Sequence, residues 1–268
     1  MQRHQPRKRF GQHFLTDYSV IDGLIREISP RKNDFMIEIG PGLAALTRPI
    51  SEYLDHLYVV ELDRDLAKNL RETFSAEHLT VFEQDVLTFD FGQFAEQKEP
   101  PLRVIGNLPY NISSPILFHL AQYKDNIDDM HFMLQKEVVD RIVATPSTAA
   151  YSRLSVMLQV NFEVDSLFDV PPEAFDPPPK VDSAIVRLIP KKLPDWQKEP
   201  NFVTCFKEVV TAAFSQRRKT LRNTLKRFLT DEDFVALALD PQLRAENLPV
   251  QTYQKIACFL LEKNPLSQ

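Results

Sequence analysis

The stretch Leu102-Arg103-Val104-Ile105-Gly106-Asn107-Leu108-Pro109-Tyr110-Asn111 decides how the rest of the chain is read. An apolar run that stops at Gly-Asn and turns through Leu-Pro-Tyr sets an amide, a rigid kink and an aromatic ring on one strand end. Pro109 fixes its own φ and biases Leu108 towards an extended conformation. The carbonyls flanking Leu108 then cannot join a helix, so at least one is expected to point out as an acceptor. With the Asn107 side-chain oxygen this makes two acceptors beside a flat ring. Such a site suits a planar partner carrying N–H donors, for example the exocyclic amine of adenine. Asn and Pro are also ordinary turn formers, so the surroundings must decide.

Outward from this motif, short apolar runs recur at Phe35 to Ile39, Leu57 to Glu61, Leu79 to Phe82 and Met130 to Leu134. They end respectively at Gly40-Pro41-Gly42, at Glu61 itself, at Gln84-Asp85 and before Lys136. The periodicity predicts helices over 43–54, 65–74, 113–122 and 136–144, after a first helix whose inner face is Val20, Ile21, Leu24, Ile25 and Ile28. Two more strands, Phe162 to Val170 and Val181 to Ile189, flank the stiff segment Pro171-Pro172-Glu173-Ala174-Phe175-Asp176-Pro177-Pro178-Pro179. Strands alternating with helices predict an α/β fold, a parallel sheet with helices on both faces. Near Lys191 to Pro200 the pattern becomes purely helical. The expected division is therefore 1–194, opening with a basic arm at 1–9, and a small helical domain at 195–268.

The chain has 268 residues and a formal net charge of −5. No apolar stretch is long enough to span a bilayer and no signal peptide is visible. Cys205 and Cys258 have neither metal-site spacing nor the density of a secreted scaffold, so a reducing cytoplasm and no metal are expected. The positive charge is segregated. Arg3, Arg7, Lys8 and Arg9 form one acid-free cluster; Arg217, Arg218, Lys219, Arg222, Lys226 and Arg227 form another. On a helical wheel for 214–228, Phe214, Leu221, Leu225 and Phe228 share a stripe, leaving Lys219, Arg222 and Lys226 as a phosphate-binding ridge.

Gly40-Pro41-Gly42-Leu43-Ala44-Ala45 satisfies the loose G-x-G-x-x-G/A dinucleotide pattern, with Glu61 placed to hold ribose hydroxyls. NAD is therefore a serious candidate, and so is S-adenosylmethionine, whose ribose needs the same carboxylate. Charge favours the second. Glu38 precedes the glycine turn, and Glu61, Asp63 and Asp85 crowd the same edge. A pyrophosphate about 4 Å from a charged Glu38 would be repelled by about 4 kcal/mol at an effective dielectric of about 20. A sulfonium and an ammonium are welcome there, and Asp85 can accept from the adenine amine.

Phe10-Gly11-Gln12-His13-Phe14-Leu15, Glu38-Ile39-Gly40-Pro41-Gly42, Val60-Glu61-Leu62-Asp63, Gln84-Asp85-Val86 and Gly106-Asn107-Leu108-Pro109-Tyr110-Asn111-Ile112-Ser113 occur in this order. Phe132-Met133-Leu134-Gln135-Lys136-Glu137-Val138, Pro177-Pro178-Pro179-Lys180-Val181-Asp182-Ser183 and Gln216-Arg217-Arg218-Lys219-Thr220 follow. With these motifs the chain resembles, over nearly its whole length, the small-subunit rRNA adenine N6,N6-dimethyltransferases. The resemblance implies a Rossmann-like class I methyltransferase fold with a mostly parallel seven-stranded sheet. It implies S-adenosylmethionine as methyl donor, and dimethylation of two adjacent adenosines near the 3′ end of 16S rRNA, in the small subunit or its precursor, by a cytoplasmic monomer during ribosome biogenesis. It implies cofactor contacts at His13, Leu15, Gly40, Glu61, Asp85 and Asn107, joined in our reading by Glu38 and Gly42. Catalysis falls to Asn107, Leu108, Pro109 and Tyr110, with Tyr110 and Phe175 stacking on the target base and Arg7, Lys8, Arg9, Arg217, Arg218, Lys219, Arg222 and Lys226 gripping RNA. Ser152 stands where the family pattern has Gly, which would strain the turn if φ there were positive. Competing readings are dimethylation of a large-subunit rRNA adenine, an assembly factor acting by binding, and, more distantly, a dinucleotide oxidoreductase.

Overall fold

The computed structural model describes residues 13–94 and 101–263. Arg7, Lys8, Arg9 and Phe10-Gly11-Gln12 lie outside the described residues. The chain divides into two units, residues 1–139 with 163–190 and residues 140–162 with 191–268.

In the first unit, β1 (Phe14–Leu15) leads into α1 (Tyr18–Ile28). Asp17 caps this helix by accepting the Ser19 and Val20 N–H groups, and the face Val20, Ile21, Leu24, Ile25 and Ile28 is buried as expected. Next come β2 (Phe35–Ile39), α2 (Thr47–Ser51), β3 (Leu57–Glu61), α3 (Arg64–Thr73) and β4 (Leu79–Glu83). Then follow β5 (Leu102–Asn107), α4 (Ser113–Leu120), β6 (Ile127–Gln135) and the first half of α5 (Lys136–Val143), whose residues from Asp140 on belong to the second unit. The predicted helix over 43–54 shrinks to five residues because 42–46 form turns, with Gly42 and Ala44 at positive φ.

Seven strands form one sheet in the order β4-β3-β2-β5-β6-β9-β7, once β7 (Phe162–Val170) and β9 (Ser183–Pro190) are included. The pairs β2·β3, β2·β5, β3·β4 and β5·β6 are parallel and β6·β9 is antiparallel. This is the mostly parallel seven-stranded sheet that the resemblance implies. Strand order reverses between β2 and β5, the switch point outside whose carboxyl ends open α/β sheets bind ligands. At the opposite ends, Arg103 donates to both oxygens of Asp129 at 2.9 and 2.7 Å, to Asp34 and to the Ile28 carbonyl. One guanidinium thus ties the starts of β5 and β6 to the α1–β2 connection. Outside the sheet, β1 pairs antiparallel with β8 (Phe175–Asp176), Leu15 opposite Phe175.

The second unit contains α6 (Arg153–Gln159), α7 (Pro200–Ala213), α8 (Leu221–Thr224), α9 (Asp231–Ala236) and α10 (Val250–Lys263). Phe202, Phe206, Val209 and Val210 from α7 share a core with Tyr253, Ile256, Ala257 and Leu260 from α10 and with Tyr151, Val156 and Val160. A cut at residue 194 is therefore displaced: segment 140–162 belongs with the helices because its apolar side chains complete their core. Ser152 has φ −150°, extended backbone open to any residue, and its N–H donates to Ser155 Oγ at 2.9 Å. No strain attaches to the missing glycine. The expected continuous helix over 214–228 is also absent. α7 stops at Ala213, and the Leu221 and Arg222 N–H groups that would continue a ladder donate to the Leu243 and Pro241 carbonyls. No described helix is long and apolar enough to cross a membrane.

His131, on β6, is 1% exposed, and among the described residues neither ring nitrogen has a hydrogen-bond partner. Burial pulls its pKa down to about 4, against the opposing pull of Asp129. The folded state thus binds fewer protons than the unfolded chain, so stability is full above about pH 6.5 and falls as pH drops towards 4. The loss should approach about 3 kcal/mol. Thermal melts of His131→Leu between pH 7 and 4 should show a shallower decline than the parent; parallel curves would refute this role.

Candidate active site

The carboxyl ends of β2, β3 and β5 enclose a cavity of about 280 Å³ at the switch point. It is lined by His13, Leu15, Glu38, Gly40, Gly42, Glu61, Asp85, Asn107, Leu108, Pro109 and Tyr110. Every candidate catalytic and cofactor residue from the sequence therefore meets in one place.

Gly40 and Gly42 adopt φ of +67° and +57°, which explains glycine at both positions. A dinucleotide turn would aim its amides at a pyrophosphate and run straight into a helix. Here the Gly42 N–H is donated to Glu61 Oε2 at 3.2 Å, and α2 starts only at Thr47. The chain's own carboxylate holds the place of an anion. Glu61 Oε1 accepts the Asp63 N–H at 2.8 Å. A carboxylate offers about four lone-pair sites, so acceptor capacity remains for a pair of hydroxyls. Burial raises the Glu61 pKa, opposed by these N–H donors.

Glu38 corrects the charge reading. It is 2% exposed, and its Oε2 accepts a hydrogen bond from Thr47 Oγ1 at 2.7 Å. Burial pushes its pKa up to about 8, the Thr47 bond works against that, and the Glu61 charge adds to it. Glu38 is thus mostly neutral at pH 7 and cannot be the group that repels a pyrophosphate. The negative edge comes from Glu61, Asp63 and Asp85. Asp63 caps α3 by accepting the Asp65 N–H, and Asp85 accepts the Leu87 N–H at 2.9 Å.

At the end of β5, Asn107 Nδ2 donates to the His13 carbonyl at 3.1 Å. With the NH₂ side so engaged, Oδ1 is the end of the amide left to accept. The Leu108 N–H donates to the Met133 carbonyl at 3.1 Å, and among the described residues no hydrogen bond reaches the Leu108 carbonyl. The expected acceptor pair is therefore present. The Tyr110 hydroxyl and Ser183 Oγ share a 2.6 Å hydrogen bond, which fixes the ring; burial raises the tyrosine pKa. His13 stacks on that ring at 5.6 Å between centroids and donates from Nδ1 to the Pro177 carbonyl at 2.8 Å.

Phe175 does not join the site. It is 3% exposed inside the core cluster containing Leu15, Val170 and Ala174, because pairing with β1 seats it in the apolar interior. Sequence reasoning also missed partners that act through others: Thr47, Ser183 and the His13 carbonyl. It missed the cavity walls Leu43 and Leu62, 44% and 48% exposed. An exposed leucine directly after Glu61 was the available signal. Of the basic positions, Arg217 donates to the Ala149 carbonyl and faces Glu246, and Arg222 pairs with Asp231 at 2.7 Å. Arg218, Lys219 and Lys226 are exposed, with no ion pair to another described residue. The cluster is thus partly neutralised by acids distant in sequence. Among the described residues no group of three or more His, Cys, Asp or Glu could hold a metal ion.

A family model described as "Ribosomal RNA adenine dimethylase" matches residues 3–262. A protein of Nitrosospira multiformis named "Ribosomal RNA small subunit methyltransferase A" is 57% identical over 96% of this chain and 97% of its own length. Among solved structures, a dimethyladenosine transferase from Plasmodium falciparum superposes with a TM-score of 0.77 at 24% identity, covering 94% of this chain and 98% of that one. The 23S rRNA methyltransferase ErmE gives a TM-score of 0.70 at 25% identity, over 92% and 99%.

One glycine in the site is irreplaceable on steric grounds. A Cβ at Gly106 would lie 2.5 Å from the Ile39 carbonyl oxygen, backbone that cannot step aside. Gly106→Ala should destabilise the fold by about 1–3 kcal/mol, read as a lowered denaturant midpoint at unchanged slope. A midpoint equal to the parent's would contradict this packing.

Proposed function

The chain belongs to the ribosomal RNA adenine dimethylase family, and on that premise we propose that it dimethylates N6 of two adjacent adenosines near the 3′ end of 16S rRNA, in the small ribosomal subunit or its precursor. The observation that carries this reading is the Asn107 amide, held by the His13 carbonyl beside Tyr110 and the Leu108 carbonyl. The methyl donor is S-adenosylmethionine, which supplies an electrophilic methyl group when bound. The residues fit it: Glu61 retains acceptor capacity for ribose hydroxyls, Asp85 can take the adenine amine, and Gly40 allows close backbone approach.

The N6 lone pair of adenine is delocalised into its ring, so the amine is a weak nucleophile. As nitrogen pyramidalises, its N–H bonds become more acidic. Acceptors at Asn107 Oδ1 and the Leu108 carbonyl then stabilise the transition state more than the ground state. Asn serves because its oxygen accepts without ionising. Tyr110 is the stacking surface for the base, which must leave any helix to reach it. Each round replaces one N6–H bond by N6–CH₃, and the displaced proton passes to water, so no strong base is required.

Arg218, Lys219 and Lys226 are the cations that support a phosphate contact, together with Arg7, Lys8 and Arg9 of the basic arm; Arg217 and Arg222 contribute if their acidic partners yield. The protein acts as a monomer in the cytoplasm, where small subunits are assembled. Small-subunit over large-subunit rRNA is favoured by the relative sharing 57% identity across nearly the full length.

Labelled S-adenosylmethionine with under-methylated small subunits, followed by nucleoside mass spectrometry of the rRNA, checks the assignment. Dimethyladenosine at two neighbouring positions, reduced about 100-fold or more in Asn107→Ala, is the expected result. Transfer to large-subunit RNA alone would move the assignment to the other branch of the family. Ribosome binding without transfer would make it an assembly factor.

A further inference from the structure

Glu38, one residue before the end of β2, and Glu61, the last residue of the adjacent parallel strand β3, line the same cavity. Both are buried, at 2% and 7% exposure, and no described cation pairs with either. Two buried carboxylates sharing a site cannot both ionise cheaply. Their hydrogen bonds decide which one keeps the charge. Among the described residues Glu61 accepts two backbone N–H groups, one on each oxygen, whereas Glu38 receives the Thr47 hydroxyl alone. The proton therefore resides on Glu38. Its burial explains why it gains so little from water.

We propose that Glu38 is a charge sensor for the methyl donor: neutral in the empty cavity, ionised when the donor's positive charge enters, and reprotonated when the demethylated product remains. The inference rests on the assignment of S-adenosylmethionine to this cavity. The donor carries a sulfonium, an ammonium and a carboxylate, net +1; the thioether product has lost the sulfonium and is net zero. The ligand's added positive charge lowers the cost of ionising Glu38, and the proton leaves to solvent. Donor binding then tightens as pH rises towards the Glu38 pKa, by up to about tenfold per unit, while product binding responds less. Charge balance gives the enzyme a preference for fresh donor over spent product, which matters where two rounds of transfer need cofactor exchange between them. Glu38 is thus a positioning residue for cofactor selectivity rather than a group that touches the reacting nitrogen.

Other titratable groups lining the cavity are Glu61 at the end of β3, Asp63 just beyond it, Asp85 after β4, His13 before β1 and Tyr110 after β5. The test must separate Glu38 from these. Isothermal titration of the full-length protein with S-adenosylmethionine, and separately with S-adenosylhomocysteine, is run between pH 6 and 8.5. Two buffers of different ionisation enthalpy count the protons released. The expected result is release of a substantial fraction of one proton with the donor near pH 7, clearly less with the product, and none attributable to this step in Glu38→Gln. Thr47→Val, which removes the hydroxyl donor to Glu38, should move the release profile to higher pH. Equal release with both ligands, or undiminished release in a folded Glu38→Gln, would overturn the proposal while leaving the cofactor assignment intact. If Glu38→Gln does not fold, an unmoved profile in Thr47→Val overturns it. Binding of neither ligand would overturn the cofactor assignment, and the inference with it.

Discussion

The site depends on how closely β5 approaches β2 at the switch point. Gly106 lies so near the Ile39 carbonyl that no side chain fits between them. This contact draws the end of β5 against the glycine turn, and Asn107, the next residue, emerges at the cavity instead of above it. Everything downstream follows from that placement. Asn107 meets the His13 carbonyl, Pro109 prevents the chain from curling at once into α4, and Tyr110 turns its hydroxyl to Ser183. The short β1·β8 pair anchors the segment just after His13, so elements 160 residues apart in sequence close one wall.

Electrostatics then selects the ligand. A glycine turn of this kind is usually an anion site, but here Glu61 has taken the amide that a phosphate would need. The cavity is acidic without holding the maximal charge, since burial pushes the Glu38 pKa up and its neighbours are capped by backbone N–H groups. Such a pocket tolerates emptiness and favours a cation, which is the combination a sulfonium-bearing donor requires.

Much of this was legible in the sequence because it is local. Strand ends, the glycine turn, the acid after β3 and the Asn-Leu-Pro-Tyr turn are set by residues within a few positions of one another. What was illegible is set by distant partners. The Glu38 charge state depends on burial and on Thr47 nine residues on. Phe175 looked free beside a proline run, yet pairing with β1 buries it. The 214–228 segment has good helical periodicity, but the Pro241–Leu243 loop captures its amides. Ser152 shows the converse: a departure from the family pattern that is harmless because its backbone is extended. The unit boundary was misplaced for the same reason, since only the folded core shows that Tyr151, Val156 and Val160 pack with α7 and α10.

The most direct test of the central claim is a crystal structure of the protein with S-adenosylmethionine. The donor's ribose should sit on the Glu61 carboxylate, with Asn107 Nδ2 still bonded to the His13 carbonyl and Oδ1 left free beside the methyl group to accept from the incoming amine. A donor bound elsewhere, or an Asn107 amide turned so that its NH₂ and not its oxygen faces the space for the amine, would contradict the account.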